Sequence, residues 1–177
     1  MQDNGLLITF SGDGKGKTTA ALGCVLRTIG WGGKVVFCTF FKKGFSGEFK
    51  VLKTLKGCKV YGFCQEHPAF SGNLKKSDFK KLFRGEWEKF KNKFKTIKKC
   101  DLLVMDEILI GIRDKILEEK ELASFICFAK DQIPGINIIL TGRGMSAKIV
   151  EKSDIVTEMR CIKHVFPEIS AKRGIDY

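Results

Sequence analysis

An apolar run, L-L-I-T-F at residues 6–10, passes without a break into S-G-D-G-K-G-K-T-T, Ser11 to Thr19, and this junction constrains the fold more than any other stretch of the chain. Gly12, Gly14 and Gly16 alternate with Asp13 and Lys15, so the backbone can turn with its N–H groups facing inward. The helix that opens at Lys17 then presents unpaired N–H donors and the positive end of its dipole at the same point. A strand, loop and helix of this composition make a cradle for phosphate. Lys17 supplies a point charge, Thr18 a hydroxyl for a magnesium ion, and Thr19 completes the first turn. The spacing follows the Walker A pattern G-x-x-x-x-G-K-[ST], except that Ser11 stands where the first glycine belongs.

Apolar, β-branched runs recur at 35–40, 60–63, 102–105, 136–141 and 155–159. Segments of helical spacing occupy 17–29, 48–55, 77–97, 118–132 and 146–152. Strands that alternate with helices predict an α/β fold, a mostly parallel sheet with helices on both faces. Gly32-Gly33 and Pro134-Gly135 each precede a strand, where a helix has to stop and the chain to turn. At 177 residues, with no internal repeat and no low-complexity linker, the chain 1–177 reads as a single domain.

Open α/β sheets bind ligands beyond the carboxyl ends of their strands, so the loops after these runs are where chemistry is expected. L-L-V-M-D-E, Leu102 to Glu107, is an apolar strand that ends in two acids. An acid in this place holds magnesium directly or through water, and either Asp106 or Glu107 can be that group while the other caps the next helix. Their side chains point in different directions because they are adjacent. T-G-R-G, Thr141 to Gly144, sets Arg143 between two glycines at a strand end, where its guanidinium can fork onto phosphate. Near the C-terminus lie K-H-V-F and R-G-I-D-Y; His164 is one of two histidines and reads as a packed or hydrogen-bonded residue.

The net charge of +12 raises the question of a nucleic-acid partner. Between Lys75 and Lys99 stand eleven Lys or Arg and three Asp or Glu, a net of +8 from one segment. Phe79, Phe83, Trp87, Phe90 and Phe94 fall in that segment at helical spacing, which predicts a helix with its aromatics packed inward and its lysines in water. A basic helix face, with no recognised reading module, argues against nucleic acid as the partner. No run approaches the length of a membrane span, and the N-terminus lacks the order of a signal peptide. Seven cysteines without a C-x-x-C pair read as free thiols, so a cytoplasmic protein is expected, with no membrane partner.

The ordered set S-G-D-G-K-G-K-T-T-A-A, V-M-D-E, T-G-R-G, S-D-I-V-T-E-M-R-C-I-K-H-V-F and G-I-D-Y, spread from Ile8 to Tyr177, resembles the P-loop family of ATP:corrinoid adenosyltransferases. That family has serine or threonine in the first-glycine place. The resemblance implies a RecA-like P-loop NTPase fold and a reaction in which Co(I) of cobalamin or a precursor corrinoid attacks the 5′ carbon of ATP and the whole triphosphate leaves. ATP would lie along the loop in the reverse of the usual sense, with Mg2+ at Thr18, Glu107 and Asp106. Lys17 and Arg143 would stabilise charge on the triphosphate, and no protein nucleophile is required. A reduced flavoprotein as electron donor and a homodimer are implied as well.

Many relatives carry a phenylalanine and a tryptophan after the third strand, which displace the axial ligand beneath the corrin. Here the segment reads Y-G-F-C-Q-E-H-P-A-F, from Tyr61 to Phe70, so Phe63 keeps the first place and no tryptophan follows; either Phe70 substitutes for it or His67 intrudes. The alternative is that both phenylalanines pack the loop against the core. Only about five residues precede the first strand, so a covering N-terminal arm is expected to be short, absent or replaced. A kinase or ATPase that cuts the terminal phosphate, or a nucleic-acid-dependent ATPase, would use the same loop but give a different product.

Overall fold

The computed structural model of the chain describes residues 4–41, 46–63, 76–165 and 167–175. In order the elements are β1 (Leu7–Ser11), α1 (Lys17–Gly30), β2 (Val35–Phe40), α2 (Gly47–Thr54), β3 (Cys58–Phe63), α3 (Lys76–Lys95), β4 (Leu102–Asp106), α4 (Ile108–Arg113), α5 (Glu119–Gln132), β5 (Asn137–Thr141), α6 (Ala147–Lys152) and β6 (Ile155–Glu158). The strands form one sheet in the order β3-β2-β4-β5-β1-β6, and every neighbouring pair is parallel. This is the α/β architecture that the alternating pattern predicts, a P-loop NTPase fold with the glycine loop at the carboxyl end of β1.

The period of two along each strand sorts side chains to the two faces. Val35 and Phe37 of β2, Leu102 and Val104 of β4 and Ile139 of β5 face α1 and α2. Val36, Cys38 and Phe40, Leu103 and Met105, and Ile138 and Leu140 face the layer of α3, α5 and α6. The central strands β2 and β4 are buried at every residue, which is why they read as unbroken apolar runs. The edge strand β6 is mostly exposed.

The second layer is held by aromatic rings. Phe79, Phe83, Trp87, Phe90 and Phe94 of α3 are all buried, as their spacing predicts, while Lys81, Arg84, Lys89 and Lys93 on the same helix are exposed. Phe90 sits at the centre, with ring centroids 6.3 Å from Phe40, 5.1 Å from Phe63, 5.7 Å from Trp87 and 5.2 Å from Phe125. Truncating a ring with this many neighbours leaves a cavity that cannot collapse. Phe90→Ala is expected to cost about 3–5 kcal/mol in urea unfolding. Lys93→Ala, on the wet side of the same helix, is expected to stay within about 0.5 kcal/mol.

Candidate nucleotide site

Ser11 is buried and paired with Glu158 of β6, so it belongs to the strand and the turn begins one residue later. That explains how the first-glycine place tolerates a side chain. Gly12 (φ 104) and Gly16 (φ 112) take the left-handed conformations that bend the loop. The glycines also answer a second demand, which the sequence reading does not contain. The Met159 N–H donates to Ser11 O at 2.7 Å and the Gly14 N–H donates to Met159 O at 2.7 Å, so the loop lies directly on the backbone that follows β6. A Cβ at Gly12 would stand 2.3 Å from Met159 O, and one at Gly14 would stand 2.7 Å from the Arg160 carbonyl.

Lys17, the first residue of α1, folds back over the loop and its Nζ donates to Gly12 O and Gly14 O, both at 2.7 Å. Burial holds this ammonium below the ordinary lysine range; the Glu107 carboxylate opposes the shift and the Arg143 guanidinium adds to it. The residue that caps α1 is Gly16, which has no side chain to accept the first-turn N–H groups, and that turn carries no acid. By contrast the Ser146 side chain caps α6 through the N–H of Ile149. The positive end of α1 is therefore left for an anion from outside the helix.

Asp106, the last residue of β4, and Glu107, the next, have separate environments, as adjacent residues should. Asp106 is fully buried. Its Oδ1 accepts from Thr18 Oγ1 at 2.9 Å and from Thr141 Oγ1 at 2.7 Å, and its Oδ2 is 3.5 Å from the donor Thr39 Oγ1. Glu107 has a left-handed backbone, φ 65, caps α4 without a side-chain hydrogen bond, and lines the cleft. Thr39 and Thr141 are partners that the sequence motifs do not single out. The available signal is that each is a threonine at or next to the carboxyl end of a mostly apolar strand.

These parts open on a cleft of about 740 Å³. Asp13, Gly14, Lys15, Gly16, Lys17, Thr18 and Thr19 form one wall. Glu107 and Arg143 also line the cleft, with Gly47, Glu48 and Val51 of α2 and His164, Gly174 and Ile175 of the C-terminal segment completing the lining. Arg143 is exposed, with its Nε 3.9 Å from Asp13 Oδ1. Its flanking glycines serve close packing on α4: a Cβ at Gly142 would meet Leu109 at 3.0 Å and one at Gly144 would meet the Arg113 side chain at 2.5 Å. His164 is exposed in the cleft wall.

Phe63 ends β3 and is 9% exposed, stacked on Phe40 at 5.3 Å and edge-on to Phe90. It stands at the carboxyl end of the sheet, the end that carries the loop. Phe70 and His67 lie outside the described residues.

A glycine loop between strand and helix, an inward-folded lysine and a paired acid strand define a P-loop nucleotide-binding protein. Comparison with known proteins narrows the class: the family model described as ATP:corrinoid adenosyltransferase BtuR/CobO/CobP matches residues 3–177. The chain is 30% identical to the corrinoid adenosyltransferase of Escherichia coli (strain K12) over 178 residues, covering 100% of this chain and 88% of the relative. It is 30% identical to corrinoid adenosyltransferase CobA of Salmonella typhimurium over 190 residues (100% and 88%), and 29% identical to the corrinoid adenosyltransferase of Sinorhizobium sp over 184 residues (99% and 81%). The chain belongs to the ATP:corrinoid adenosyltransferase family, a family of transferases. None of its described helices is long and apolar enough to cross a membrane.

Two outcomes follow from the loop. Gly14→Ala must push the loop off the Arg160 carbonyl, whereas Gly23→Ala on α1 meets nothing within 4 Å. Calorimetry with inorganic tripolyphosphate is expected to show at least a tenfold loss, about 1.4 kcal/mol, for the first. The second is expected to raise stability by about 0.5–1 kcal/mol through helix propensity. Because the Lys17 pKa is lowered in the free protein, a polyanion that favours the ammonium binds with proton uptake at alkaline pH. Tripolyphosphate affinity should therefore fall as pH rises above the lowered pKa of Lys17 and level off only above the higher pKa it takes in the complex, a limb that Lys17→Arg removes.

Proposed function

We propose that residues 1–177 form one domain that transfers the 5′-deoxyadenosyl group of ATP to the Co(I) of cobalamin or a precursor corrinoid and releases triphosphate. The observation that supports this most directly is the cleft itself. It sets Lys17, the uncapped first turn of α1 and Arg143 around one space, which suits a group carrying several negative charges. In this reading the loop holds the leaving group: a cobalt–carbon bond forms, the bond between the 5′ carbon and its oxygen breaks, and the electron pair leaves with the triphosphate. Lys17, Arg143 and the N–H groups of the loop other than that of Gly14, which Met159 O holds, stabilise the charge that develops there.

The donors present suit Mg2+. Thr18 and Glu107 offer hard oxygens in the cleft, and among the described residues no three His, Cys, Asp or Glu converge, so a cation here takes its remaining ligands from phosphate and water, as Mg2+ does. Bound there, Mg2+ would supply charge neutralisation for the triphosphate. Asp106 would act from behind, through its hydrogen bond to the Thr18 hydroxyl. Phe63 and Phe70 are the groups assigned to the lower face of the corrin, with Phe63 anchored by Phe40 and Phe90. A reduced flavoprotein as electron donor, a homodimer and a cytoplasmic setting complete the reading; the described cysteines are all free thiols, in keeping with a reducing compartment.

The test is an anaerobic mixture of the protein, magnesium-ATP and chemically reduced cob(I)alamin. Light-sensitive adenosylcobalamin with one triphosphate per turnover is the expected result. ADP and phosphate without an adenosylated corrinoid would mean that the loop serves cleavage of the terminal phosphate instead. Lys17→Ala is expected to lower turnover about 100-fold or more in the same assay, the scale of one charge-stabilising group.

A further inference from the structure

Thr141 closes β5, the strand between β4 and β1, and is fully buried. Its hydroxyl is used in both directions. It donates to Asp106 Oδ1 at 2.7 Å, and its lone pair accepts the backbone N–H of Glu107 at 2.9 Å. The second bond falls on a strained residue. Glu107 is left-handed at φ 65, a strained conformation for a residue with a side chain, which persists only where the surroundings enforce it. It begins a helix of six residues, too short to impose much order by itself. The turn in the backbone between Asp106 and Glu107 is what keeps one carboxyl inside the sheet and sends the next into the cleft.

We propose that Thr141 is a positioning residue for the cation and triphosphate site, its hydroxyl fixing the backbone of Glu107 and the orientation of Asp106 at once. This rests on the reading that Glu107 and Thr18 face magnesium triphosphate. The side chain has to be a hydroxyl because one atom must donate to a carboxyl oxygen and accept from an amide. Valine fills the same volume but removes a donor from Asp106 and the acceptor from the Glu107 N–H, in a place where neither loss is made good by bulk water. Thr18, bonded to the same Oδ1, then loses its fixed partner geometry as well.

The experiment compares the parent protein with T141V, T141S and E107Q. Amide hydrogen exchange at Glu107 is followed by NMR in the ligand-free protein, and ATP binding is followed by calorimetry across a Mg2+ titration. In T141V the Glu107 amide is expected to exchange at least about tenfold faster, and the Mg2+ concentration that supports half-maximal ATP affinity to rise about tenfold, a change of about 1.4 kcal/mol. T141S is expected to stay within about twofold of the parent in both. Unchanged exchange or an unchanged Mg2+ requirement in folded T141V overturns the proposal, as does T141S behaving like T141V, which would make the effect one of shape. Should T141V not fold, Thr141→Cys keeps the volume with a weak donor and acceptor and is read in the same way. E107Q separates the two levels: if it leaves the Mg2+ requirement unmoved, the cation reading of Glu107 fails, whatever the exchange data say of the hydroxyl.

Discussion

A carboxyl group with no exposed surface stands where the loop helix meets the sheet, and its need for hydrogen-bond partners orders much of what surrounds it. Placing Asp106 in an apolar interior would cost several kcal/mol if it were left alone. Its partners come from three other elements: Thr18 from α1, Thr39 from β2 and Thr141 from β5. They meet because Thr39 stands opposite Asp106 in the β2–β4 register, and Met105 opposite Leu140 in the next. A slip of one residue in either pairing would send the threonine hydroxyl to the other face of the sheet, among the aromatic rings. One buried acid thus ties the sheet register to the position of the loop helix.

Much of this was legible in the sequence because it is periodic or local. The five helices read from apolar spacing and the six strands read from β-branched runs all appear, with ends shifted by one or two residues. The loop was legible because a strand, a glycine loop and a helix follow one another directly. The aromatic stripe of α3 declared its inward side through its steps of three and four. What escaped was structure of another kind. Helix α4 has six residues, too few for a period to show, and I-L-I-G-I-R reads equally as an apolar connection. The division of labour between Asp106 and Glu107 depends on one backbone angle, which composition does not encode. Contacts from far along the chain, such as Met159 under the loop and His164 in the cleft wall, carry no local mark at all.

The glycines show how one residue type can satisfy two requirements. Gly12 and Gly16 have positive φ, which their role in the turn predicts; Gly14 has no such angle and is there because another backbone passes beneath it. At T-G-R-G both requirements fall on the same residues: Gly142 (φ 136) and Gly144 (φ 91) are left-handed and also let the loop sit against Leu109 and Arg113. Phosphate-binding loops are usually credited with glycine so that a ligand can come close. In this protein a good part of that freedom goes to protein backbone approaching from behind, which keeps the loop in shape before any ligand arrives.

The order of the strands has a consequence in time. β1 precedes the other five strands of its sheet in chain order, yet both of its neighbours come late: Leu6 bonds to Asn137 across 131 positions and Leu7 to Asp154 across 147. β2, β3 and β4 can pair with one another while β1 still has nothing on either side. Contacts this distant in sequence pay their loop-closure entropy last and slow the final step of folding. On the ribosome, where chains grow at about 5–20 residues per second, the phosphate loop therefore waits several seconds, at the least, for the strands that shape it. The loop gains the Met159 backbone that supports it only once β6 has emerged, so the shape of the loop marks the completion of the sheet.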